Sequence, residues 1–238
     1  MWRCVIFLLF PIVLYACETT KVEKSRIGEV HTESFSAAGK TIPLPQGKWV
    51  VTGSDIRDNN LGDAGLRTVL VNFNNDAVKG MVLLRTNLVP GFHFGANGYV
   101  KAKKCNRTDI LFLKTFENER SGKQDCWGIN HTGFTFDVKQ TKEEWEETRQ
   151  YILREQAEYP ENFVCVYYRF ATDNDYVDVY YYRNPELDGM TPSKNRNWSQ
   201  NDWNKNYINS HPNKLKYVEN LKAWGRAWYP RVKESLHF

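Results

Sequence analysis

Two runs late in the chain constrain its fold more than any other feature. Residues 163–170 read FVCVYYRF and residues 176–182 read YVDVYYY, with ATDND between them. β-Branched and aromatic residues suit a pleated, packed surface, and the polar pentapeptide suits a loop, so the runs are expected to form a β-hairpin. Both alternating faces of the first run are largely apolar. Such a strand needs cover on both sides and belongs inside a sheet.

The rest of the chain supplies partners and cover. Leu66 to Phe73 and Val78 to Thr86 flank Asn74-Asn75-Asp76 and read as a second hairpin. Lys48 to Gly53 and Ile110 to Phe116 read as further strands. Ile42 to Gly47 is an extended entry, because proline disfavours helix before it. Pro90-Gly91 and Gly95 to Gly98 read as loops. Thr141 with Glu144 makes a capping-box pattern, which predicts a helix from Lys142 to about Glu158, stopped by Pro160. Tyr217, Leu221, Trp224, Trp228 and Val232 form the stripe of an amphipathic helix. Ser210 is placed to cap it, Pro212 fits its first turn, and Pro230 is expected to kink or end it. The tryptophans of that stripe read as core. The fold class that follows is α+β: a mainly antiparallel sheet with a mid-chain helix and a C-terminal helix packed on it. With 8 Trp, 13 Tyr and 13 Phe in 238 residues, material for one core is ample.

Compartment is written at the other end. Cys4 to Ala16 is apolar apart from the Tyr15 hydroxyl and follows Arg3. It is shorter than the roughly 20 residues a spanning helix needs, and fits the core of an export signal. Leu14-Tyr15-Ala16-Cys17 resembles the bacterial lipobox, which implies acylation of Cys17 and attachment to a membrane through the N-terminal lipid. Plain secretion and an uncleaved anchor are the other two outcomes. The polar stretch after Cys17 reads as a tether, with His31 a solvated linker histidine. The expected division is a signal over 1–16, a tether over 17–34 and one globular domain over 35–238, in the bacterial cell envelope facing the periplasm or the cell surface.

An oxidising compartment lets disulfides persist. Cys105 and Cys126 are read as such a pair, closing a loop of about 20 residues and worth roughly 3 kcal/mol in the chain-entropy account. Cys165 reads as a small buried hydrophobe. The competing reading makes Cys126 a nucleophile, with His131 or His93 as base and Asp125 or Asp109 as orienting group, the route to an envelope hydrolase acting on peptidoglycan or esters. No metal is expected, because His93, His131, His211 and His237 lack ligand spacing and the polar cluster from Asp55 to Asp63 lacks EF-hand order. No cofactor motif is present, and a formal charge of +4 without a dense basic run argues against nucleic acid.

Residues 195–213 interleave seven asparagines with Trp198, Trp203 and Tyr207. Exposed rings beside amides can stack on and hydrogen-bond to sugars, so these three are the candidate ligand surface; the competing reading has the two tryptophans pinning a long loop to the core. Three segments taken together, GKTIPLPQGKW (39–49), CNRTD (105–109) with QDCWGINH (124–131), and the late helix containing LKAWGRAW (221–228), resemble a group of exported proteobacterial proteins of unassigned activity. The resemblance implies export and one domain, and supplies no catalytic residues. The function expected is non-catalytic: an envelope lipoprotein that binds a protein or cell-wall glycan partner. Intact mass of the membrane-extracted protein should carry a lipid increment that Cys17→Ser loses. An unmodified wild-type N-terminus would reject the anchor.

Overall fold

The computed structural model describes residues 23–58, 64–88, 99–100, 103–118, 122–134, 136–195 and 197–236. The leader, Cys17, the loops at Pro90-Gly91 and Gly95 to Gly98, Asn59, Asn60, Asp63, His93 and His237 lie outside them. The strands in chain order are β1 (Val30–His31), β2 (Ser34–Ala37), β3 (Lys40–Pro43), β4 (Trp49–Asp58), β5 (Ala64–Asn74), β6 (Ala77–Asn87), β7 (Phe112–Glu117), β8 (Gln124–Thr132), β9 (Phe163–Ala171) and β10 (Tyr176–Arg183). Helix α1 is Glu143–Arg154 and α2 is Pro212–Leu236. An eight-stranded sheet runs β1-β4-β5-β6-β10-β9-β8-β7, and β2 pairs with β3 in a small second sheet. Neighbouring strands in both are antiparallel. The fold is α+β, as the sequence implies.

All nine residues of β9 are buried. Val164, Val166, Tyr168 and Phe170 join the core on one face, with Val218, Leu221 and Val232 of α2. Phe163, Cys165 and Tyr167 join the core on the other, with Trp145 and Ile152 of α1 and with Phe136. Period-2 alternation in a strand with two apolar faces therefore calls for a helix on each side. Each large aliphatic so buried contributes roughly 1.5–3 kcal/mol.

The two hairpins form as expected. The β5–β6 turn places Asn75 at φ 51°, a backbone region that asparagine tolerates better than most residues. Four local expectations differ. Strand β8 lies within QDCWGINHT, whose polar and glycine content gives no strand signal, yet β7 and β9 pair with it on both sides. The capping box does not form: Lys142 sits at the N-cap without a side-chain bond, and Glu144 turns inward to accept from Arg57 Nη2 at 2.5 Å. A buried carboxylate must be paired, and that requirement overrides the local cap. The helix also ends at Arg154, with Gln156 left-handed at φ 52°, so that Glu158 can bond to Asp76 and Val78 at the β5–β6 turn. Helix α2 continues through Pro230 to Leu236. The carbonyl that loses its partner belongs to Arg226, which is exposed, as is Pro230, so water is at hand.

The ordered fold begins before Phe35. Residues of the stretch read as tether lie along β4: Gly28 N–H donates to Val51 O at 2.8 Å and Val51 N–H to Glu29 O at 2.9 Å. His31 is not a free linker residue, since its ring packs edge-on against Phe35 at 5.0 Å.

Helix α1 docks on β4 at a bulge between Val51 and Gly53. A Cβ on Gly53 would lie 1.9 Å from the Glu144 backbone oxygen, so the helix backbone rests on the glycine itself. Thr52 and Thr148 share a hydrogen bond of 3.1 Å beside it. Gly53→Ala must lift the helix, and urea denaturation should show a loss of about 2–3 kcal/mol. A loss below about 0.5 kcal/mol would mean that this contact does not hold α1.

Candidate functional site

Cys105 and Cys126 form a disulfide with a Cα–Cα distance of 5.7 Å, tying the loop before β7 to β8. Cys126 therefore has no thiolate to offer, and the thiol-hydrolase route through it is removed. Cys165 is free and buried, and burial pushes its thiol well above the usual range. Asp125, offered as an orienting group, instead accepts from Tyr229 Oη at 2.7 Å and from Lys233 Nζ at 2.7 Å, an anchor for α2. Asp109 holds Arg107 through two bonds of 2.9 and 2.7 Å. Among the described residues, no three His, Cys, Asp or Glu side chains group as metal ligands.

The ligand surface expected on Trp198, Trp203 and Tyr207 does not assemble as a three-ring platform. Trp203 is 1% exposed, packed edge-on against Tyr217 of α2 at 5.7 Å, and acts as the pin of its loop. Trp198 is 36% and Tyr207 46% exposed. The asparagines have a backbone task. The side-chain oxygens of Asn195, Asn197, Asn201 and Asn204 each accept from the N–H two residues on, at 2.9–3.0 Å. These Asx turns replace missing secondary structure and account for the composition without a ligand.

An aromatic concavity lies elsewhere, where α2 crosses the ends of β4, β5, β6 and β10. It is a groove of about 370 Å³ with Trp224 and Trp228 on one wall and Tyr181 and Trp49 below them. The i, i+4 spacing of the two tryptophans stacks their rings at 5.2 Å and 18°. Tyr181 meets both edge-on, at 5.7 and 6.2 Å. Gly225 positions this part of α2, because a Cβ there would sit 2.6 Å from the Trp127 ring. The Arg183 guanidinium lies 4.4 Å over Trp224, and Trp224 and Trp228 each keep part of their surface in solvent. Polar groups rim the groove. Asn72 and Asn184 are committed, donating to Lys48 O at 2.7 Å and Val78 O at 2.8 Å. Gln46 and Asn74 form no side-chain hydrogen bond among the described residues. Lys79, Arg183 and Asp188 add charge to the rim. Sequence reasoning read Trp224 and Trp228 as core; they do pack against it, but only in part, because this stretch of α2 lies over the strand ends, which no local signal reveals.

His131 of β8 is buried and its ring stacks on Trp198 at 5.4 Å and 1°. Trp198 Nε1 donates to His131 O at 3.2 Å, and His131 Nε2 lies 3.3 Å from Trp198 O. A carbonyl only accepts, so Nε2 carries the proton and Nδ1 is a bare acceptor. Burial lowers the imidazole to about 4. The folded protein then refuses a proton that the unfolded chain takes below about 6.5, so stability is greatest above that pH and falls as pH drops towards 4. The loss should approach 3 kcal/mol across this window, measured by urea denaturation at several pH values, and His131→Gln should lack that component. An identical slope in the variant would assign the acid sensitivity to other groups.

No family model, curated protein or solved structure matches this chain, so its function is argued from these two sites.

Proposed function

We propose that the protein is a non-catalytic binding domain of the bacterial cell envelope, held to a membrane through lipid on Cys17, and that it takes a glycan strand in the Trp224–Trp228 groove. The observation that carries this reading is the pairing of two stacked, partly exposed indoles with free amides on the same groove. Sugar rings present C–H faces that lie on aromatic surfaces and hydroxyls that need both donors and acceptors. The parts of Trp224 and Trp228 left in solvent beside Arg183 and Arg231 offer the first, and Gln46 and Asn74 the second. Arg183 and Lys79 on the rim suit a glycan that also carries carboxylates, as envelope polymers do. A tether and a disulfide-braced body are what such a module needs outside a membrane. No helix among the described residues is long and apolar enough to cross one.

The test is retention on purified cell-wall glycan, followed by calorimetry with soluble fragments. Trp224→Ala should weaken binding at least tenfold. Because Trp224 also packs against the core, Gln46→Ala and Asn74→Ala provide variants that leave the core intact, each expected to weaken binding about threefold at unchanged thermal stability. Trp198→Ala should bind as wild type. No retention of the wild-type protein would remove the glycan reading and leave a protein partner as the groove's occupant.

A further inference from the structure

Strand register lays a row of charge across the sheet, at the ends of the strands away from the β5–β6 turn. Arg67 of β5 stands opposite Arg85 of β6, Arg85 opposite Asp178 of β10, and Asp178 opposite Arg169 of β9. Directly opposed residues share a face, and Arg169 continues the series Phe163, Cys165, Tyr167 that packs with α1. Two like charges directly opposed on a ladder destabilise it. The acids around the Arg67–Arg85 pair are already engaged. Asp178 accepts from Arg169 Nη1 at 2.5 Å, Asp55 and Glu144 hold Arg57, and Glu143 takes Lys24 at 2.6 Å. Arg67, Arg85, Lys104 and Lys142 make no ion pair or side-chain hydrogen bond among the described residues. Lys142 is exposed and the other three are half-buried, so solvent reaches the cluster.

These cations feel one another. Burial and the Arg85 charge push the Arg67 guanidinium down, and burial with Arg85, Arg67 and Arg57 pushes Lys142 down, although Glu144 attracts both. Asp178 draws Lys104 up, but burial and the charges of Arg85, Arg169 and Arg107 outweigh it. Burial opposes the charge on Arg85, which Asp178 and the neighbouring tyrosines restore. One buried acid thus serves Arg169, Arg85 and Lys104 together, and the cluster is short of negative charge. A phosphate group supplies it, since its several oxygens accept from guanidinium and ammonium at once. Chain geometry names the source. Lys24 is bonded to Glu143, the neighbour of Lys142, so the ordered chain enters beside the cluster. Cys17 lies seven residues before Lys24. Seven residues reach at most about 25 Å, so a lipid on Cys17 keeps this end of the molecule close to a bilayer. The groove lies at the opposite ends of the same strands, beside Asn72, Asn74 and Lys79. We propose that Arg67, Arg85, Lys104 and Lys142 bind the phosphate of an anionic lipid headgroup in the membrane that holds Cys17, which turns the Trp224–Trp228 groove away from that membrane. The choice of a lipid headgroup rests on the anchor in the function proposed above.

The experiment sediments the full-length Cys17→Ser protein with vesicles of phosphatidylcholine, alone or mixed with phosphatidylglycerol. The readout is the ratio of affinities for the anionic and the neutral vesicles, so an apolar leader common to both cancels. That ratio should be about tenfold or more at low salt. In this background Arg67→Gln, Arg85→Gln and Lys142→Gln should each lower it about fivefold. Lys216→Gln, on the exposed side of α2, should leave it unchanged. Arg67→Gln also relieves the repulsion across the ladder, so thermal stability should stay level or rise. A ratio near one overturns the proposal. So does a ratio that survives the Arg67→Gln, Arg85→Gln double variant, one that Lys216→Gln lowers equally, or a loss of stability in Arg67→Gln with the ratio intact. Inorganic phosphate at matched ionic strength is the second arm. A rise in melting temperature that the double variant loses, beside a vesicle ratio near one, would assign the cluster to soluble phosphate and overturn the headgroup. Because the ratio is read on Cys17→Ser, its failure does not come from a missing lipid; the intact mass of the wild type reads the anchor, and glycan retention reads the groove.

Discussion

Everything else in this fold answers to the two-sided burial of β9. Valines, tyrosines and phenylalanines alternate along it with neither face polar, so water must be kept from both. One helix cannot do that. The chain spends its mid-sequence helix on one face and its C-terminal helix on the other, and each helix is seated where a glycine lets backbone or ring approach: Gly53 under α1, Gly225 against Trp127. The disulfide then ties the loop leading into β7 to β8, the strand beside β9, at the far side of the sheet from β1.

Seating α1 conflicts with its own sequence. The Thr141 to Glu144 pattern would give the isolated helix a reciprocal cap. In the folded protein Glu144 is buried and engages Arg57, which also binds Asp55. Removing that carboxylate to serve the helix end would leave a guanidinium beside the core with one partner fewer, a larger loss than the cap supplies. The same logic governs Arg169. It is buried in β9 yet saturated by Gln124, Asp178 and the Tyr99 carbonyl, so a charge in the central strand is tolerated.

The loop carrying Trp198 is held by its own Asx turns, by Trp203 in the core and by Asn201, which is buried and bonds to Asn162 at 2.8 Å. These contacts keep Trp198 stacked over His131. The groove is a by-product of helix seating: α2 lies close to the sheet at Gly225, and its tryptophans overhang the strand ends.

The sequence by itself determined the parts set by local chemistry. Hairpins follow from β-formers around turn residues, helices from 3.6-residue stripes, and the α+β class from a strand with two apolar faces. The Cys105–Cys126 pair was legible because compartment and loop length are sequence properties. Strand β8 was not, since its residues become a strand only by pairing with β7 and β9. Nor were the helix ends, where long-range partners for Glu144 and Glu158 outbid the local caps and stops. The groove belongs to the tertiary structure alone: Trp224 and Trp228 become its wall only because α2 lies over the strand ends.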